Sequence, residues 1–326
     1  MDTVMSSDFE IRPLVDGRSL PLLVEARRPG LALGAALPAM RETIDHHLPV
    51  AGGLLFRGFT LDGADAFRAF AADFGHPLLT YEFGSTPRSK VTQGVYTSTE
   101  YPAHQHIPLH NEQAYTRDWP MKIWFYCMQA AEEGGETPIA DSRAIWRDMP
   151  AEIRGRFADK GLMYVRNYGG GLDVAWQDVF GTDSTVEVEA YCAKHGIDCE
   201  WKEDGELRTR QVCQGVARHP VTGDMVWFNQ AHLFHVSNLE AEVREALLDI
   251  VDEIDLPRHV YYGDGSPIED ETLASVRTVL DAHKISFPWA SGDVVMLDNM
   301  LTAHARAPFK GPRKVIVAMA EAHGAR

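Results

Sequence analysis

Apolar and polar positions along this chain switch repeatedly between a period of about 3.6 residues and a period of 2, the marks of helix and strand. Residues 36–48 read as a helix, and GGLLFRGF (52–59) is a short apolar run opened by glycines, which suits a buried strand. In DGADAFRAFAADFG (62–75), Phe67, Phe70 and Phe74 recur at helical intervals behind a candidate Asp62 cap, so the three rings read as core. MKIWFYCMQ (121–129) reads as a strand, and GGETPIAD (134–141) as a turn followed by a short one. Helical patterns return at 151–161, ending near Gly161, at 186–196, and at 238–254, where the helix is amphipathic and acidic. MVWFNQAHLFHV (225–236) has the character of a buried strand. ISFPWASGDVVMLDN and PRKVIVAMAE are late strands joined by a turn-rich link. RNYGGGLDVAWQDVFGTDSTV (166–186) carries three consecutive glycines among aromatics, which fits a mobile lid or a plain surface loop. Many short strands with Gly/Pro turns and a few outer helices predict a mainly β fold with flanking α-helices, a double-sheet barrel with helical additions.

Composition narrows the class. A chain of 326 residues, 45% hydrophobic and 24% charged, has the material for a core and by length alone suggests about two domains. The candidate ligands come from both ends, which predicts a single domain over 1–326 with a helical or lid insertion at roughly 143–260. A net charge of -16 argues against general binding to nucleic acid or anionic lipid. The acidic start, MDTVMSSDFE, has no secretory character, and no apolar run reaches the roughly 18 residues of a membrane span. Cys127, Cys192, Cys199 and Cys213 form no C-x-x-C pair and read as free thiols of a cytoplasmic protein.

The chemistry concentrates in three residues. His110 and Glu112 form an H-x-E pair, and His304 lies in the late segment LDNMLTAHARAPFKGPRKVIVAM. If the pair sits on a strand, both side chains share one face and can reach one ion. Two imidazoles and one carboxylate cover one face of Fe(II) and leave the opposite face open; the same set also suits catalytic zinc. A zinc hydrolase and a non-catalytic cupin-like binding protein are therefore the alternatives. Arg313, nine residues after His304, is a candidate anchor for an organic acid, with Lys314 as its competitor. His106 shares the strand parity of His110. His232 and His235 read as core or pocket wall, or as contacts to substrate. Asp298 and Asn299 are candidates for orienting His304, or for ordinary turn bonding.

Taken in order, LHNEQAY, GGETPIADS, RNYGGGLDVAWQDVF, HPVTGDMVWFNQAHLFH, YYGDGSPI and GDVVMLDNMLTAHARAPFKGPRK resemble the TauD/TfdA group of Fe(II)/2-oxoglutarate-dependent dioxygenases over roughly residues 50–320. Within that group the chain is most similar to the SyrP-type branch of nonribosomal peptide and related amino-acid pathways. The resemblance implies a double-stranded β-helix (jelly-roll, cupin-like) core and a cofactor set of Fe(II), 2-oxoglutarate and O2. It implies that His110, Glu112 and His304 ligate the iron, and that Thr137 and Arg313 bind 2-oxoglutarate. It further implies hydroxylation of an unactivated carbon of an amino-acid-like substrate, free or tethered to a carrier protein. Val317 stands where taurine-type members often carry a second arginine, which argues against a sulfonate. Related halogenases have a small residue in place of the carboxylate ligand, so Glu112 points to hydroxylation. Polar candidates at the pocket mouth are His106, Asn111, Gln113, Arg166, Asn167 and Arg306. Arg143, Arg147, Arg154, Arg156, Lys160 and Arg166 form a basic stretch that reads either as a dock for an acidic carrier or as a solvated face.

Overall fold

A computed structural model describes residues 4–80, 88–169, 174–203 and 205–324. Its centre is a nine-stranded sheet whose middle runs, in spatial order, through Gly53–Arg57, Val294–Asp298, Asp118–Gln129 and Lys314–Gly324. Those three pairings are antiparallel; Leu22–Ala26 joins Gly53–Arg57 in parallel at the other side. The central strands read as unbroken apolar runs because both faces are covered. Trp124, Tyr126, Val294, Met296, Ile316 and Ala318 point one way. The helix Leu33–Ala51 lies on that face with Leu33, Leu37, Met40, Ile44 and Leu48, and Gly63–Ala72 adds Phe67 and Phe70. Ile123, Phe125, Val295, Leu297, Val315 and Val317 point the other way, into the interior.

Across that interior lies a three-stranded antiparallel sheet, ordered Ile139–Asp141, Thr302–Arg306, Ile107–His110. Two facing sheets with outer helices make this the mainly β, jelly-roll architecture expected. Between Asp141 and Val294 the chain builds a further four-stranded antiparallel sheet from Asp198–Trp201, Leu207–Cys213, Leu162–Tyr168 and Arg258–Tyr262. The helix Asp270–Ala282 packs Leu273, Val276 and Leu280 beneath it.

Several local expectations give way to tertiary context. The turn-rich link between the late strands contains the strand Thr302–Arg306, buried along its whole length. MVWFNQAHLFHV is a short strand, Met225–Trp227, followed by one helical turn, Ala231–Phe234. The acidic helix is only Ala241–Leu248 and buries no side chain. Asp62 stands at a helix start without a capping bond from its side chain. Of the glycine-rich segment, residues 170–173 lie outside the described residues, and Trp176–Phe180 is a short helix.

The basic stretch is neutralised piece by piece. Arg143 pairs with Asp141, Arg147 with Asp148, Arg156 with Glu269 and Lys160 with Asp264. Arg154 lies over the Trp146 ring, and Arg166 is buried. It is therefore not an unbalanced positive surface. All four cysteines are free thiols. Among the described residues no helix is long and apolar enough to cross a membrane.

Candidate active site

The three-stranded sheet and the turn that follows it assemble the site. His304 is on the middle strand, opposite His110 on one side and Ile139 on the other. His110 is the last residue of its strand. Glu112 falls beyond it, in a turn where Gln113 adopts a positive φ of 55°. Strand alternation therefore does not bring the H-x-E pair together, as the spacing suggested; the turn does. One ligand atom from each of His110, Glu112 and His304 lies within 4.8 Å of the others. His304 Nε2 is 3.8 Å from Glu112 Oε2, and the two imidazole centroids are 4.4 Å apart.

Asn299 holds that turn. Its Oδ1 accepts from the Glu112 backbone N–H at 2.7 Å, and its Nδ2 donates to the carbonyls of Glu112 at 3.0 Å and Pro120 at 2.8 Å. Asn111 Nδ2 donates to the Asn299 carbonyl at 2.6 Å and to Ser142 Oγ at 3.1 Å. Asn299 thus positions Glu112 rather than the His304 ring. Asp298 accepts from the N–H groups of Met300 and Leu301 and so shapes the turn into the His304 strand. Gly52 abuts that strand: its carbonyl accepts from Thr302 Oγ1, and a Cβ there would lie 2.5 Å from the same oxygen.

The electrostatics suit a cation. His110 Nδ1 lies 2.8 Å from the Pro108 carbonyl; donating there leaves Nε2 with its lone pair. Burial lowers the pKa of both imidazoles, most strongly that of His304, so both are neutral bases near pH 7. The His304 ring is held by packing, with Phe125 at 4.9 Å. A neutral His2Glu set with free nitrogens fits a divalent transition metal.

A narrow chamber lined by His110 and His304 also reaches Arg313, with Thr137, Ser98 and Val315 on its walls. Arg313 donates through Nε to the Gly135 carbonyl at 2.9 Å, and its guanidinium lies over the Phe309 ring. A Cβ at Gly135, where φ is +74°, would sit 3.0 Å from Arg313 Cδ, so the G-G-x-T turn needs glycine here. Among the described residues Arg313 forms no ion pair, and burial followed by the nearby Arg306 pushes it down to about 10, still cationic at neutral pH. Thr137 Oγ1 accepts from Trp289 Nε1 at 3.2 Å, leaving its hydroxyl proton for another acceptor. Lys314 is exposed on the neighbouring strand. The chamber offers an organic anion a hydroxyl and a guanidinium unpaired among the described residues, the donor set a dicarboxylate such as 2-oxoglutarate needs.

A larger cleft of about 670 Å³ opens beside His110 and Glu112. His106, Tyr101, Tyr115, Gln230 and Arg258 line it, with Leu233, Phe234, Leu239 and Val243. Three residues assigned to substrate on sequence grounds stand elsewhere. Asn111 is spent on the Asn299 clamp. Arg306 donates to the carbonyls of Thr99, Tyr101, Pro102 and Gln105, so it organises a loop instead of gripping a carboxylate. Arg166 is buried beside the Tyr168 ring, away from both cavities. Asn167 likewise ties down the carbonyls of Ile254 and Leu256, and Gln113 lines a separate pocket. His232 bonds the Leu109 carbonyl in the core, where burial pushes it down to about 4. Sequence reasoning passed over Arg88, whose Nη2 meets Glu112 Oε2 at 2.7 Å. It belongs to no motif, and only the fold brings it to the ligand.

A profile described as the taurine catabolism dioxygenase TauD, TfdA family matches residues 11–319. The chain belongs to this family. Among its relatives, the dapdiamide synthesis protein DdaC of Enterobacter agglomerans is 44% identical over 97% of this chain and 95% of its own length. A clavaminate synthase-like protein of Arabidopsis thaliana is 32% identical over 87% of this chain and 88% of its own. The solved structure of PvcB from Pseudomonas aeruginosa superposes with a TM-score of 0.59 at 19% identity, covering 98% of this chain and 94% of that one, which shows the shared fold. Membership makes this TauD/TfdA protein a dioxygenase that uses Fe(II), 2-oxoglutarate and O2, and it displaces both the zinc hydrolase and the passive binding protein.

Proposed function

We propose that this TauD/TfdA dioxygenase hydroxylates a C–H bond of an amino-acid-like substrate in natural-product biosynthesis, acting in the cytoplasm. The carrying observation is the convergence of His110, Glu112 and His304 within 4.8 Å beside a chamber that Thr137 and Arg313 line. The name of the relative in dapdiamide synthesis supports the pathway class, and four free thiols fit a reducing compartment. We read the chain as one domain of the SyrP-type branch, in which an insertion at roughly 143–260 helps to wall the cleft.

In this proposal His110, Glu112 and His304 hold Fe(II), while Thr137 and Arg313 receive 2-oxoglutarate. The bound metal and cosubstrate would supply oxidation of a C–H bond by O2, with 2-oxoglutarate leaving as succinate and CO2. The protein's part is placement and electrostatics. Asn299 fixes the turn of Glu112, and Pro108 orients the His110 ring. Arg313 grips the distal carboxylate with paired charge-assisted bonds, which sets the direction of the cosubstrate. The cleft lined by Tyr101, Tyr115, Leu233 and Phe234 would hold the substrate beside His110 and Glu112. A carrier-borne substrate would enter by the same cleft; the paired charges of residues 143–160 give no support to docking there.

The test is anaerobic addition of Fe(II) and 2-oxoglutarate, followed by O2 and a panel of amino acids, free and carrier-bound. A weak visible charge-transfer band requiring both additions is expected, then succinate and a product heavier by one oxygen. Loss of two hydrogens would mark desaturation instead. His110→Ala, Glu112→Ala and His304→Ala should each abolish the band and the succinate while the fold persists. Normal succinate from any of them would remove that residue from the metal.

A further inference from the structure

Gln230 is a buried polar side chain on the cleft wall whose acceptor is unused. It is 4% exposed, heads the helical turn Ala231–Phe234, and lines the cleft with His110 and Glu112. Its backbone N–H donates to Tyr164 Oη at 2.8 Å, and its Nε2 donates to the Asn111 carbonyl at 2.8 Å. A carbonyl only accepts, so the second bond settles which end of the carboxamide faces Asn111. Oε1 is the end left over. It meets no donor among the described residues and, unlike the sealed amide oxygens of Gln211 and Gln214, it is open to solvent. Asn111 lies between two of the triad residues and is itself bonded to Asn299, so Gln230 is anchored to the rigid turn.

A molecule filling the cleft strips water from Oε1, and a buried acceptor left without a donor is costly. The molecule therefore has to bring a donor. The surroundings select its kind. Tyr115 and Phe234, both buried, share the wall with Gln230. Among the described lining residues the carboxylates are Glu112 and Glu240. Glu112 is engaged by Arg88 and faces His304, and Glu240 stands on the exposed rim. An ammonium carried to Gln230 would lose its water and meet a neutral amide where it needs a carboxylate. A neutral N–H makes the same bond without stranding a charge. A hydroxyl could also donate; the amino-acid class proposed for the substrate makes nitrogen the donor.

We infer that Gln230 is a specificity residue that accepts a hydrogen bond from a neutral N–H of the substrate, so that the enzyme takes an amino acid whose nitrogen is already acylated. The reaction that supplies the substrate would then be an amide-forming one. This assignment rests on the reading of the triad as an iron site and of the cleft as the substrate site.

The experiment separates these readings. Wild type, Gln230→Met and Gln230→Asn are loaded anaerobically with Fe(II) and 2-oxoglutarate, and the charge-transfer band is recorded. Absence of the band in wild type would defeat the iron reading whatever Gln230 does. The loaded proteins are then titrated with the N-acetyl derivatives of the common amino acids other than proline, following the band and the heat of binding. The tightest binder is compared with its ester counterpart, in which oxygen replaces the N–H, and with the free amino acid. Wild type should bind the amide at least about tenfold more tightly than the ester, whose lone pair faces Oε1, and more tightly than the free amino acid. Gln230→Met nearly keeps the shape and removes the acceptor, so amide and ester should come within about threefold of each other. A merely structural role would weaken both alike and leave their ratio unchanged. Gln230→Asn retracts the carboxamide and should also shrink the ratio, which decides the matter if the methionine variant does not fold. Several results would overturn the assignment: no binding of any acetylated probe by a wild type that shows the band, equal binding of amide and ester, binding of the free amino acid as tight as that of the amide, an unchanged ratio in every variant that folds, or loss of the band in both variants.

Discussion

The turn that carries Glu112 and the helix Ala241–Leu248 border the same cleft but are built differently. The turn is buried and tied down: Asn299 bonds both backbone groups of Glu112, and Asn111 bonds back to Asn299. The helix buries no side chain, and Val243 is 49% exposed at the cleft edge. Arg244, paired with Asp270, fastens its polar side. One wall is fixed to within the tolerance that metal chemistry demands; the other is left adaptable. The difference teaches where the function is conserved in the physics: the reaction belongs to the rigid wall and the substrate to the loose one.

The largest effect should come from the rigid side. Arg313→Leu leaves a cosubstrate carboxylate buried without its partner and should raise the KM for 2-oxoglutarate by about 100-fold. Lys314→Leu, at an exposed neighbour, should leave it unchanged. Steady-state succinate formation measures both, and the opposite pattern would transfer the role to Lys314. Asn299→Ala comes next. It strands the Glu112 N–H and two carbonyls, and should cost about 3 kcal/mol of stability and weaken metal binding by about 10- to 100-fold. Asn299→Asp keeps the acceptor but not the donors and should lose less in metal affinity. If both variants bind Mn(II) as tightly as wild type in calorimetry, the clamp does not position the ligand.

How much of this was legible in the chain follows the same division. The central strands could be read because apolar residues cover both of their faces, as in Ile123 to Cys127. His110, Glu112 and His304 could be read because few chemistries need that ligand set followed by an arginine. The reason Glu112 reaches its place could not. It depends on a turn stabilised by Asn299 from 187 residues away, and sequence spacing carries no record of such a bond. Arg306 misled for a related cause: a cation two residues from a ligand suggests a carboxylate partner, yet a loop folds over it and offers four carbonyls. Arg88 was invisible because burial, not sequence context, gives it meaning.

The smallest effect on the fold should come from the loose wall, and it tests the comparison most directly. Val243 is half exposed and its helix packs nothing into the core, so Val243→Ser should change stability by no more than about 0.5 kcal/mol. The KM for 2-oxoglutarate and the charge-transfer band should be untouched, because Val243 lines the cleft and not the chamber that holds Arg313. Only the preference among apolar substrates should move, by the roughly tenfold that a methylene or two in a hydrophobic pocket is worth. A substrate panel scored by product mass, beside thermal melts, reads all three quantities. If Val243→Ser instead shifted the band or the melting temperature strongly, the helix would be coupled to the metal turn, and the division between a rigid and an adaptable wall would fail.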